Sequence, residues 1–170
     1  KAKIIAPKFN VEWWENEIQK KFKNIIFLEH DQNFTLKNEI NLQMFINKFD
    51  SSLKIKFKNK CIFLQTDNLM SEKEAKRISK IDPIDVAFVI PFLTGVFPGF
   101  YKWDSDTLIK LANDKIYKSL NFCTNIIKNL NPKYVIPYAC DLGYLGEKFY
   151  INLIHRHNKE DLIKMLKIKK

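Results

Sequence analysis

Apolar and polar positions follow a short period through the first half of the chain and a helical one through much of the second. Residues 4–6 form an apolar run closed by Pro7, and Val11, Trp14, Ile18 and Phe22 then recur at helical spacing, so a strand and a helix are predicted. Asn10 stands where an N-cap belongs, and Trp13 and Trp14 divide between rim and core. Residues 25–28 predict the next strand, Phe34 and Leu36 alternate, and residues 41–49 set Leu42, Met44 and Ile46 on one face. Leu53, Ile55 and Phe57 alternate with lysines before the turn Lys58-Asn59-Lys60 and the apolar residues 61–64. That is the pattern of an antiparallel hairpin with one solvent-facing strand and one buried strand.

Further on, Ser71 with Glu74 has capping-box spacing for a helix through Ser79. Residues 86–91 are almost wholly apolar, as in a strand covered on both faces. Gly95, Pro98 and Gly99 keep residues 92–103 out of any regular element. Asp104 or Ser105 then caps the longest helix, whose Leu108, Leu111, Ala112, Lys115, Ser119, Phe122, Ile126 and Leu130 hold a period near 3.6 until Pro132 stops it. Residues 134–140 predict another buried strand despite Pro137, Gly143 and Gly146 mark a loop, and residues 159–168 predict a basic helix with Leu162, Ile163 and Leu166 inside. No repeat or linker interrupts the pattern. Residues 1–170 therefore read as one unit, an α/β or α+β fold with helices packed on a mixed sheet.

Composition narrows the function classes. At 170 residues the chain can bury roughly 70% of its unfolded surface, and 46% hydrophobic with 14% aromatic residues excludes a disordered or low-complexity chain. No apolar run approaches the roughly 18 residues that span a bilayer, so no membrane association is expected. The formal charge of +10 invites a polyanionic partner, yet all but two of the basic residues are lysine, Arg77 and Arg156 being the exceptions. Base edges are read by arginine forks, so no specific nucleic-acid partner is expected. Cys61, Cys123 and Cys140 suit neither a disulfide framework nor a zinc knuckle and read as small core hydrophobes in a reduced, cytoplasmic protein. The sequence opens on Lys1 without a signal-peptide pattern, and a missing upstream segment is expected.

Candidate chemistry is sparse. Glycine-rich phosphate loops, nucleophile elbows and Cys-x-x-Cys pairs are absent from the sequence. Of its three histidines, His30 follows a strand, while His155 and His157 flank Arg156. The His-x-His pair could chelate, but two ligands need a third and a dry site, and an arginine between them opposes a cation; exposed polar residues are the plainer reading. Asp67 is more informative, because it emerges at the end of a buried strand, where α/β proteins place ligands. An Asx turn that merely ends the strand is the alternative.

Residues 58–68 (Lys58-Asn59-Lys60, an apolar strand, then Asp67-Asn68) resemble the Lys-Gly-Lys, strand, Asn-Asp element of metallo-β-lactamase-fold proteins. The pattern is nearest that of the hydrolase-like domain of CMP-N-acetylneuraminate hydroxylases. Asp85 to Pro91 with the loop Gly95, Phe97, Pro98, Gly99 and Phe100 resembles the family's Asp-x-Ala strand and Gly-x-x-x-Phe-Pro loop, and residues 118–139 its long helix and following strand.

The resemblance implies a four-layer αββα sandwich of which this chain is the C-terminal half, a mixed sheet with helices on one face. The family's His-x-His-x-Asp-His motif belongs to the other half and has no match here. Residues 45–52 also lack a ligand histidine, and Ala139-Cys140 stands where the family has Ala-Gly. Asp67 corresponds to the carboxylate that bridges two metals in active members, so the resemblance implies zinc, manganese or iron in a complete protein and none in this chain alone. Phe97, Phe100 and Tyr138 are the implied substrate-side residues, the alternative for residues 92–100 being a hydrophobic plug that only closes the core. The implied function is the C-terminal portion of a metal-dependent hydrolase, linked to sugar-nucleotide or polysaccharide metabolism and inactive alone. Its implied partner is a missing N-terminal half or another chain covering the open sheet face. The alternative is a non-catalytic basic binding module that has lost its metal site.

Overall fold

The computed structural model describes residues 3–48, 50–91, 98, 101–138 and 159–167. In chain order these form β1 (Ile4–Pro7), α1 (Glu12–Lys21), β2 (Ile25–Leu28), β3 (Asn33–Thr35), a 3-10 turn (Lys37–Glu39), β4 (Ile40–Asn47), β5 (Asp50–Phe57), β6 (Lys60–Leu64), α2 (Glu72–Ile81), β7 (Val86–Val89), α3 (Ser105–Leu130), β8 (Tyr134–Pro137) and α4 (Lys159–Lys167). β1 and β2 pair in parallel, and β3 to β8 form a six-stranded sheet in sequence order. That sheet is antiparallel from β3 to β6 and parallel from β6 to β8. The mixed sheet expected from the sequence is therefore present, with the three apolar segments as adjacent strands.

Local chemistry sets the helix ends. Ser71 Oγ accepts the Glu74 N–H at 3.1 Å, as the capping-box spacing predicts, and α2 runs on to Ile81. Asp104 caps α3 by accepting the Thr107 N–H at 2.9 Å, and α3 closes on Asn131 in the left-handed region (φ 47°) ahead of Pro132. The predicted cap of α1 is wrong by one residue. Val11 N–H is taken by Phe9 O at 2.7 Å, so the helix enters after Val11 with no side-chain cap. α1 buries none of its residues; Trp13 is exposed and Trp14 half-buried, its ring edge-on to Phe9.

One face of the six-stranded sheet carries the core. Phe45, Cys61, Phe63, Ala87 and Val89 meet Ala75 and Ile78 of α2, with Leu120, Cys123, Ile126 and Leu130 of α3 and Leu162 of α4 completing the cluster. Cys61 and Cys123 are buried free thiols within it, and burial pushes the Cys123 thiol up to about 12. Both pack as the hydrophobes predicted from sequence, whereas Cys140 lies outside the described residues. In α4 Leu162 is buried but Ile163 is exposed, against expectation, because one helix face alone meets α3.

The opposite face is apolar too. The pairing register strings Phe34, Leu42, Ile55, Ile62, Val86 and Tyr134 into one rung across all six strands, and Met44, Leu53, Leu64, Phe88 and Ile136 into the next. Leu42 and Met44 are buried, but Phe57, Ile62, Tyr134 and Ile136 are exposed. On that face Val86 and Phe88 of β7 are only half-buried and Tyr134 and Ile136 of β8 exposed, so neither strand is buried on both faces as its composition suggested.

β5 corrects the sequence reading most sharply. Its Leu53 and Ile55 belong to the half-exposed face, while Ser52 and Lys54 point to the helix side and are buried. Lys54 is only 3% exposed, its ammonium 3.1 Å from Asp82 at the end of α2, where Lys56 also pairs. Burial alone would raise the Asp82 carboxyl, but hydrogen bonds from Lys56 and Lys54 outweigh it and hold the group below its usual range.

Two predictions follow from this packing. In urea denaturation Phe63→Ala should cost about 3–5 kcal/mol, and its neighbour Ile62→Thr less than about 1 kcal/mol; similar losses would place both faces in the core. Asp82, depressed in the folded state, contributes stability above its unfolded pKa near 4 and loses it as pH falls through the lower folded value. The melting temperature should therefore drop between about pH 5 and pH 3, and drop less in Asp82→Asn.

Candidate functional site at the rim of the sheet

Parallel strands deliver their carboxyl ends to one rim, and there β6 runs out into Gln65, Thr66, Asp67 and Asn68. Four hydrogen bonds fasten this turn and its continuation to β4 and β5. Ser52 Oγ donates to Gln65 O at 2.7 Å, Thr66 Oγ1 donates to Ser51 O, Asn68 Nδ2 donates to Phe45 O at 2.9 Å, and Asn47 Nδ2 donates to Leu69 O at 3.1 Å. Between the buried Gln65 and Asn68, the Asp67 side chain faces solvent. No ion pair joins it to Lys or Arg among the described residues.

Thr66 takes φ 54°, a left-handed conformation that costs a β-branched residue of order 1–3 kcal/mol. Its N–H donates to the Tyr138 phenol at 3.0 Å, a contact reaching across 72 residues from the end of β8. Burial pushes the Tyr138 hydroxyl up and the nearby Asp67 charge adds to it, so the phenol stays protonated at neutral pH with its O–H available as a donor. The structure thus brings Asp67 and Tyr138 together, while Phe97, Phe100, His155 and His157 lie outside the described residues. Gln65 Oε1 and Asn68 Oδ1, on either side of Asp67, are buried without hydrogen-bond partners among the described residues.

The sequence reading singled out no role for His30, yet it occupies the same rim. Its Nδ1 sits 3.0 Å from Ile46 N, its Nε2 lies 3.7 Å from Glu74, and its ring stands edge-on to Phe45. Glu74 is held below the usual carboxylate range by the two-pronged Arg77 guanidinium, which also reaches Asp31 at 2.7 Å. His30 and Ile46 are shared by two clefts. One, of about 600 Å³, also takes in Lys8, Asn10, Glu29 and Lys48; the other, of about 300 Å³, includes Asn47, Asn68 and Glu74.

A metal at this rim would find Asp67 as a fixed carboxylate. Among the described residues, however, no group of three or more His, Cys, Asp or Glu side chains could share an ion. A catalytic zinc needs three protein ligands and an open position, so the described residues do not fit a metal by themselves. Thr66 is the testable element: Thr66→Gly and Thr66→Ala lose the same hydroxyl, but only alanine keeps the left-handed penalty. Glycine should be the more stable of the two by about 1 kcal/mol, and Tyr138→Phe should cost about 1 kcal/mol by freeing the Thr66 N–H. Thermal or urea unfolding measures all three, and an alanine variant as stable as glycine would remove the strain.

No protein-family model and no curated protein matches the chain. Among solved structures it is similar to CmlA, a diiron β-hydroxylase from Streptomyces venezuelae, with TM-score 0.54 and 10% identity over 97% of this chain and 35% of that one. A mutant of the same β-hydroxylase gives TM-score 0.56 and 12% identity over 81% of this chain and 31% of that one. The chain thus spans about a third of the length of these neighbours. At such identities the likeness is one of fold and carries no closeness to CMP-N-acetylneuraminate hydroxylases. No helix among the described residues is long and apolar enough to cross a membrane. The architecture, a mixed sheet with helices on one face, is that of half a metallo-β-lactamase-like αββα sandwich.

Proposed function

We propose that this chain is the helix-bearing, C-terminal portion of a metal-dependent hydrolase-like enzyme of the metallo-β-lactamase fold, inactive alone and completed by a second sheet that brings histidine ligands. The observation that carries the reading is Asp67: an exposed carboxylate at the end of β6, aimed by a strained Thr66 and braced through Tyr138. The apolar rungs on the sheet's far face support a second sheet as the partner, from a missing N-terminal half or a separate chain. Zinc, manganese or iron would suit a site built on a bridging carboxylate, and the diiron neighbours favour iron. The link to sugar-nucleotide or polysaccharide metabolism rests on the sequence resemblance. The absence of a three-ligand group among the described residues also suits a non-catalytic binding module, and experiment separates the two.

The purified chain is assayed with zinc, manganese or ferrous iron against ester, lactam and phosphodiester substrates, then again with the sheet-bearing half encoded upstream. The chain alone should show no turnover above the metal blank. Together the halves should bind metal, and Asp67→Asn should weaken that binding by more than about 100-fold, since even outer-shell partners are worth about 10–100-fold. Turnover by the chain alone that vanishes in Asp67→Ala would overturn the inactivity. An upstream sequence without the histidine motif, or metal binding indifferent to Asp67→Asn, would leave the binding module in its place.

A further inference from the structure

The helix side of the six-stranded sheet is apolar at β6 and β7 and polar toward β3. Across one rung the residues run Asn33, Gln43, Lys54, then Phe63 and Ala87; across another, Thr35, Asn41, Lys56, then Cys61. Over the polar half, at the carboxyl end of α2, lies a cavity of about 210 Å³ lined by Asn33, Asn41, Gln43, Lys54, Lys56 and Asp82, with Ile81 as its apolar wall. It sits at the opposite end of α2 from the rim that holds Asp67, about 15 Å along the helix axis.

Two features of this cavity call for a ligand: an unpaired buried acceptor and an excess of positive charge. Gln43 is 5% exposed, and its Nε2 donates to Asp31 Oδ1 at 2.7 Å and Asp31 O at 3.3 Å, which fixes the amide's orientation. Its Oε1 is left buried with no hydrogen-bond partner among the described residues. The second feature is the charge balance: the nearly fully buried Lys54 shares the carboxylate of Asp82 with the part-exposed Lys56. Two ammonium groups against one carboxylate leave a formal charge of +1; the carboxyl end of α2 offsets only part of it, a helix terminus being worth about half a charge. The surplus rests on Lys56, which is 39% exposed and makes the mouth of the cavity cationic, while the unpaired buried acceptor inside is costly; one ligand can meet both.

We infer that this cavity is a binding site for a small hydroxycarboxylate. The carboxylate neutralises the excess charge of Lys54 and Lys56, and a hydroxyl of the same molecule donates to Gln43 Oε1 while the Asn33 and Asn41 amides offer further polar contacts. A monoanion matches the net charge better than inorganic phosphate, which carries more than one charge at neutral pH. The volume is that of about seven waters at ~30 Å³ each, enough for a molecule between glycerate and a six-carbon sugar acid. The site is independent of Asp67 and of the missing half-sandwich.

Titration of the ¹⁵N-labelled full chain tests this, with the Gln43 side-chain amide as reporter and glycerate, gluconate, acetate, glycerol and inorganic phosphate as probes. Glycerate or gluconate should shift that signal with a Kd of about 1 mM or tighter, at least tenfold tighter than acetate, which lacks the hydroxyl, or glycerol, which lacks the charge. Lys54→Met leaves Asp82 paired with Lys56, so it should keep its melting transition while losing about tenfold in affinity for both hydroxy acids. Gln43→Met, followed by calorimetry, should erase the preference for glycerate over acetate. Equal binding of acetate and glycerate by the native chain, tighter binding of phosphate, indifference to Lys54→Met, or no shift at about 10 mM hydroxy acid would overturn the assignment.

Discussion

Two successive crossovers stepping the same way across a parallel sheet must lay their helices on one face, because right-handed connection is nearly obligatory for such units. β6, α2, β7, α3 and β8 are such a pair. The core, the exposed far face and the rim answer to that constraint. The helices gather Phe63, Ala87, Val89 and the inner stripe of α3 into one core, and on the other face Phe57, Ile62, Tyr134 and Ile136 stay exposed. Asp85 secures the opposite end of the three strands, accepting Cys61 N–H at 2.9 Å and pairing with Lys133 at 2.8 Å, so β6, β7 and β8 start in register and deliver their carboxyl ends to a common rim. The place of Asp67 is a consequence of that alignment.

Legibility in the sequence followed the locality of the physics. The α2 and α3 caps and the strands β6, β7 and β8 were readable because capping geometry and apolar runs are short-range signals. The facing of β5 was not: Leu53, Ile55 and Phe57 announce an apolar face, and alternation cannot say which side of the sheet the helices take. A sheet with two apolar faces defeats the rule that lysine points to water, and Lys54 is the result. Its burial depends on Asp82, 28 residues away, which no local pattern links to β5.

The rim divides in the same way. Asp67 could be found from its position at the end of a strand. Its bracing could not, since threonine rarely adopts a left-handed conformation and Tyr138 arrives from the far end of the sheet. His30 was visible as one of few histidines, but its neighbours Ile46 and Glu74 come from β4 and α2, elements brought together by the fold alone.

The exposure of the far face over β6 and β8 is most directly tested by thiol labelling of the native Ile62→Cys variant. Ile62 and Phe63 are adjacent in β6 and point to opposite faces, Ile62 at 36% exposure and Phe63 at 0%. One thiol beyond those of the parent chain should react under native conditions at a rate close to that of an exposed cysteine. An added thiol that stays protected until the chain unfolds would show that the far face is already covered, and would contradict the half-sandwich.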